Sequence, residues 1–145
     1  AATVKDKDFQ FYAGARNEGL PLFILCSSLG VFAGHHPGST NRYEFYNFVN
    51  RTFGTTVHAL YVSDSSQRWY LGGVDGLGKD PLATVIAVRR LLADRGVKPS
   101  AVLCLGDSMG GFGALLFGAL FAKRLFFPTV DEQREPVTSN PLDTA

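Results

Sequence analysis

The chain has 145 residues, a formal net charge of +1 and 46% hydrophobic residues, enough for one domain with a proper core and too little for two ordinary ones. Near-neutral charge leaves no electrostatic footprint for binding nucleic acid. The longest apolar stretch, from Met109 to Ala122, holds four glycines and is too short for a membrane span, so it reads as a buried helix.

"AATVKDKDFQ" at the N-terminus lacks the apolar centre of a signal peptide. Cys26 and Cys104 each sit in an apolar run that reads as a buried strand. Two such thiols make neither a disulfide framework nor a metal quartet, and as reduced core residues they suit a reducing compartment, so the expected location is cytoplasmic. No cofactor or metal is expected.

Short apolar runs alternate with helical patterns, which predicts an α/β fold: three layers, with helices flanking a mostly parallel sheet. "FQFYA" (9–13) suits an edge strand and "PLFILC" (21–26) a buried one. A helix is expected over 40–52, capped by Ser39, Thr40 or Asn41. "VHALYV" (57–62) is the next strand, followed by the glycine-rich connection "SDSSQRWYLGGVDGLGKD". Residues 81–95 make a helix with Asp80 as its cap, Pro81 in the first turn and Gly96 at its end. "AVLCL" (101–105) is a strand, 109–122 a helix and "RLFF" (124–127) a further strand. Residues 1–128 form the domain, with its core over 20–127, and 129–145 read as an irregular or disordered tail.

The chemistry concentrates at "LCLGDSMGGFGALLFGAL" (103–120). A nucleophilic serine needs an exposed hydroxyl and backbone N–H groups aimed where an oxyanion will form. A sharp strand-to-helix turn provides both, but it strains the serine backbone and demands small residues two positions to either side. Gly106-Asp107-Ser108-Met109-Gly110 meets that pattern between an apolar run and a helical one. Gly111 and Gly113 would let the helix approach the sheet closely.

Residues 20 to about 127 resemble the central part of an α/β-hydrolase fold, with Ser108 at the nucleophile elbow. The resemblance implies a serine esterase or related acyl hydrolase acting on a small ester or acyl substrate. It implies that the strand before the oxyanion loop lies beside the strand before the nucleophile. It also places oxyanion donors on the backbone N–H of Met109 and of Ser28 or Leu29. The family orders its triad as serine, acid, histidine. Downstream of Ser108 stand Asp131, Glu132, Glu135 and Asp143 but no histidine, so the resemblance covers an apparently truncated hydrolase.

His35 and His36, in the loop after the 21–26 strand, stand at the elbow's end of the sheet as base or substrate contact, or as an exposed loop pair. Asp64 is a substrate contact or a turn cap, Trp69 and Tyr70 a pocket wall or packing under the loop, and His58 a structural residue.

Three rival readings stand beside this one. Gly73 to Lys79 nearly matches a phosphate-binding loop, but Asp80 stands where the magnesium-binding Ser or Thr belongs. "LCLGDSM" also resembles the first block of GDS-type lipases, which in that family lies on the first strand. A non-catalytic hydrolase-like module binding a partner or a carbohydrate, or an inactive fragment, is the alternative from another class.

Overall fold

The computed structural model describes residues 3–29 and 43–126, and for 123–126 the backbone alone. The cap candidates Ser39, Thr40 and Asn41, His35 and His36, and the 129–145 tail lie outside the described residues.

Among the described residues five strands form one mixed sheet: β1 (Thr3–Lys5), β2 (Phe9–Tyr12), β3 (Leu22–Cys26), β4 (His58–Val62) and β5 (Val102–Gly106). Their order across the sheet is β1-β2-β4-β3-β5. β3 runs parallel to both β4 and β5, whereas β2 is antiparallel to β1 and to β4. The sheet is therefore half antiparallel by pairing rather than mostly parallel. "FQFY" is not an edge: β1, too short and polar to announce itself, covers it and carries the edge instead.

The helices are α1 (Tyr46–Thr52), α2 (Pro81–Asp94) and α3 (Ser108–Phe126). Alternation along the strands sends side chains to two cores. Phe11, Leu22, Ile24, Cys26, Leu60 and Val62 pack with Val85 and Val88 of α2 and with Met109 and Phe117 of α3. Phe23, Leu25, Ala59 and Tyr61 pack with Tyr43 and with Val49 of α1. Helices thus cover both faces of the sheet, an α/β arrangement.

α2 follows its sequence signals. Asp80 accepts a hydrogen bond from Ala83 N at 2.8 Å, and Pro81 fills the first position. At its end, Gly96 (φ 64°) lets its own N–H reach Ala93 O and the Val97 N–H reach Leu92 O, closing the last turn.

Two elements differ from expectation. α1 begins at Tyr46, because residues 43–45 form a turn that buries the Tyr43 ring and turns Glu44 back toward the end of β3. Arg124, Leu125 and Phe126 continue α3 instead of forming a strand. Three apolar residues in a row have no period of their own, and no proline precedes Pro128 in this stretch.

Among the described residues β5 pairs on one side only, with β3. On this strand Leu103 is 46% exposed, and on α3 Phe112 and Leu115 are 40% and 78% exposed. Cys104 is accordingly half-buried rather than buried, while Cys26 is fully buried, and both are unbridged. Ile24 faces Cys104 and Cys26 faces Gly106, so the two cysteines occupy neighbouring parallel strands, offset by two residues. Burial pushes the Cys104 thiol up to about 11 and raises that of Cys26 well above its ordinary value, leaving both as protonated, inert thiols.

Candidate functional site

The junction between β5 and α3 carries one of the four non-glycine residues with positive φ among the described residues. Ser108 is exposed and has φ 49°, in the left-handed region where a side chain is strained by about 1–3 kcal/mol. The surroundings hold it there. A Cβ on Gly106 would fall inside the Gly110 carbonyl, and one on Gly110 would overlap Cys26 O and stand 3.1 Å from Ser27 C. The two glycines therefore touch each other across the turn, and the second also touches the end of β3. Both obstacles are backbone atoms.

The other two glycines do different work from that expected. A Cβ on Gly111 would meet only the Gly106 carbonyl, its oxygen at 3.4 Å, so close packing does not require that glycine. Gly113 makes room for the Tyr70 ring, 2.6 Å from where its Cβ would stand, rather than for the sheet.

Met109 follows Ser108 and is completely buried. It and its neighbours open α3, so their N–H groups have no carbonyl of the preceding turn to bond. Across from them, Ser27 N donates to Val62 O at 2.9 Å and completes the ladder at the end of β3. Ser28 is the first residue to leave the sheet. Its N–H donates to Glu44 Oε2 at 2.9 Å and its hydroxyl to Glu44 Oε1 at 3.2 Å. Leu29 is 37% exposed. Of the two candidate oxyanion donors on this loop, the structure engages Ser28 with a carboxylate.

Asp64, just after β4, is buried and organises the long connection. It accepts from Ser66 N at 3.0 Å, Arg68 N at 2.8 Å and Tyr70 N at 2.9 Å, as well as from the Ser66 hydroxyl. These bonds hold Gln67, Trp69 and Tyr70 at φ 55°, 58° and 61°. Tyr70 is driven inward, where its hydroxyl donates to Ser27 O at 2.7 Å and its ring lies edge-on to Phe117. Burial raises the phenol far above its ordinary pKa, so it stays a donor. Trp69 is thrown outward, 45% exposed, with its ring 6.0 Å from Phe112 and perpendicular to it. Phe112 lies one helical turn beyond Ser108. The loop thereby places one aromatic under α3 and another at its surface.

His58 stands at the far end. It pairs with Leu22 at the start of β3, whereas Cys26 pairs with Gly106, about 13 Å further along the strands. Its Nδ1 accepts the Gly14 N–H at 3.0 Å, and desolvation lowers its pKa, so it is a neutral structural side chain. It is the one histidine among the described residues.

The Gly73–Lys79 stretch folds into a closed turn. Val74 bridges Gly78, and the N–H groups of Leu77 and Gly78 both bond Val74 O. Amides engaged in this way cannot cradle a phosphate. Among the described residues, no cluster of His, Cys, Asp and Glu could hold a metal ion, and no helix is long and apolar enough to cross a membrane.

Glu44 gave no sequence signal, being sixteen residues from its partner and outside any motif. The role of Asp64 had one, since an aspartate two residues before a serine at a strand end is an Asx-turn pattern. Comparison of the chain with family models, curated proteins and solved structures returns no match.

Proposed function

We propose that this chain is an α/β-hydrolase-like, three-layer domain of a serine-dependent acyl hydrolase, with Ser108 as the nucleophile toward a small ester. The observation that carries the reading is the left-handed Ser108, exposed at the strand-to-helix turn and locked between Gly106 and Gly110. A chain tolerates such strain on a side-chain-bearing residue where function needs that side chain presented. The position of β3 beside β5 supports the same reading, because it sets the Ser28 loop against the first turn of α3.

In this mechanism Ser108 Oγ attacks the ester carbonyl, and the first-turn N–H of Met109 with an N–H of the Ser28–Leu29 loop stabilises the oxyanion. Collapse of the tetrahedral intermediate breaks the ester C–O bond and expels the alcohol with the proton taken from Ser108, and water then cleaves the acyl-serine, releasing the acid and restoring the hydroxyl. His35 and His36 are the candidate bases, and both lie outside the described residues. Without a positioned base, the serine stays protonated and reacts slowly.

Labelling with a fluorophosphonate probe tests the proposal. We expect modification at Ser108 that disappears in Ser108→Ala, and slower labelling in His36→Ala or His35→Ala. Equal labelling of wild type and Ser108→Ala would reject the enzyme. A complete lack of labelling in a folded chain would favour a non-catalytic binding module built on the same elbow.

A further inference from the structure

We propose that the Glu44 carboxylate is a built-in occupant of the anion site between the Ser28 loop and the first turn of α3, so that the resting chain holds its own oxyanion site closed. This rests on the reading of the Ser28 loop as the second oxyanion donor. Three features lead to it.

The first is the chemistry of the contact. Both oxygens of one carboxylate are received by one residue, Oε2 by the Ser28 N–H at 2.9 Å and Oε1 by its hydroxyl at 3.2 Å. A planar carboxylate on a backbone N–H resembles the acid that ester hydrolysis leaves behind, and such charge-assisted bonds are roughly twice as strong as neutral ones. The second is location. Cys26 O and Ser27 C press directly on Gly110, so the residue that follows them stands beside a helix start, where negative charge is favoured. The third is the direction in which Glu44 reaches. It lies in the turn before α1, whose N-terminus has no side-chain cap, and it reaches away from that helix to β3. Tyr43, buried beside it, anchors the turn.

A substrate carbonyl or a small carboxylate must then displace Glu44 to reach the Ser28 N–H. Removing the side chain should open the site, whereas removing a mere brace for the loop should impair it. The opposite signs make the two roles separable.

The test compares wild type, Glu44→Gln and Glu44→Ala. Acetate is titrated against the ¹⁵N-labelled protein while the Ser28 and Met109 amide resonances are followed. Fluorophosphonate labelling at Ser108 is timed in parallel. Glu44→Ala should bind acetate and label faster by roughly tenfold to a hundredfold, the factor one hydrogen bond to a charged group represents. Glu44→Gln, which keeps an acceptor but no charge, should fall between. If Glu44→Ala loses its cooperative unfolding transition, Glu44→Gln decides, with acetate binding no tighter than wild type counting against the proposal. Equal acetate affinity in all three proteins, or slower labelling of Glu44→Ala, overturns it. Acetate shifts confined to the variants with no labelling in any protein would leave the occupied anion site standing and reject the hydrolase.

Discussion

Replacing Gly110 by alanine isolates the contact that shapes the elbow. The added methyl overlaps Cys26 O and stands within 2.9 Å of Cys26 C, so α3 has to move off β3. Neither obstacle can rotate aside, because both belong to a central strand paired on its two edges. Overpacking of this kind costs about 1–3 kcal/mol, and rigid backbone on the receiving side puts Gly110→Ala at about 2–3. The neighbouring Gly111→Ala is the control. Its methyl meets one carbonyl at an ordinary 3.4 Å, and alanine in a helix gains up to about 1 kcal/mol over glycine. Thermal unfolding followed by circular dichroism should show Gly110→Ala melting about 5–10 °C lower and Gly111→Ala unchanged or slightly higher. Ser108 labelling should fall in the first variant and persist in the second. Equal melting temperatures for the two variants would refute the argument, since glycine composition alone, rather than this contact, would then set stability.

Ser108→Gly should be more stable than Ser108→Ala by about 1 kcal/mol in urea titrations, because only glycine takes φ 49° without strain. Asp64→Ala should cost about 2–4 kcal/mol by leaving the Arg68 and Tyr70 N–H groups without their acceptor. It should also shift the emission of Trp69, the sole tryptophan of the chain, and an unchanged spectrum would mean that the loop does not depend on this carboxylate. His58 gives a pH dependence of definite sign. Burial lowers its folded-state pKa below the ordinary 6.5, so the unfolded chain binds the proton more readily. The stability contribution of the neutral ring is complete above about 6.5 and is lost as pH falls below it. Urea midpoints between pH 7.5 and 5.5 should therefore drop more in wild type than in His58→Asn.

The parts legible in the sequence were those with local causes. β3, β4 and β5 are apolar runs bounded by polar residues, and α2 announces itself through Asp80, Pro81 and Gly96. The elbow was legible because its spacing is local, Gly106 being required by Gly110 four residues on, although Gly110 itself answers to Cys26 on the neighbouring strand. Non-local causes decided the rest. Phe9 and Phe11 look like one face of an edge strand, and nothing in "TVK" reveals the partner that makes β2 internal. "RLFF" suits a strand or a helix equally, and for its first three residues continuity with α3 settled it. The Glu44–Ser28 contact joins two segments that share no motif. Trp69 and Tyr70 could be placed in the loop but not on opposite sides of it, since that division follows from φ values imposed by Asp64.

The side of β5 that is open among the described residues bears on how this chain behaves in company. A strand reading Val-Leu-Cys-Leu-Gly carries no lysine, proline or bulge to discourage a visitor, and its neighbour α3 presents Phe112 and Leu115 to the same solvent. Among the described residues its outer amides and carbonyls meet no strand, and an edge of that kind is a template for any extended segment in register. Folding and intermolecular pairing then compete, and because only the second is bimolecular, dilution favours the monomer and crowding the aggregate. For this chain, protein concentration during refolding becomes a determinant of yield in its own right.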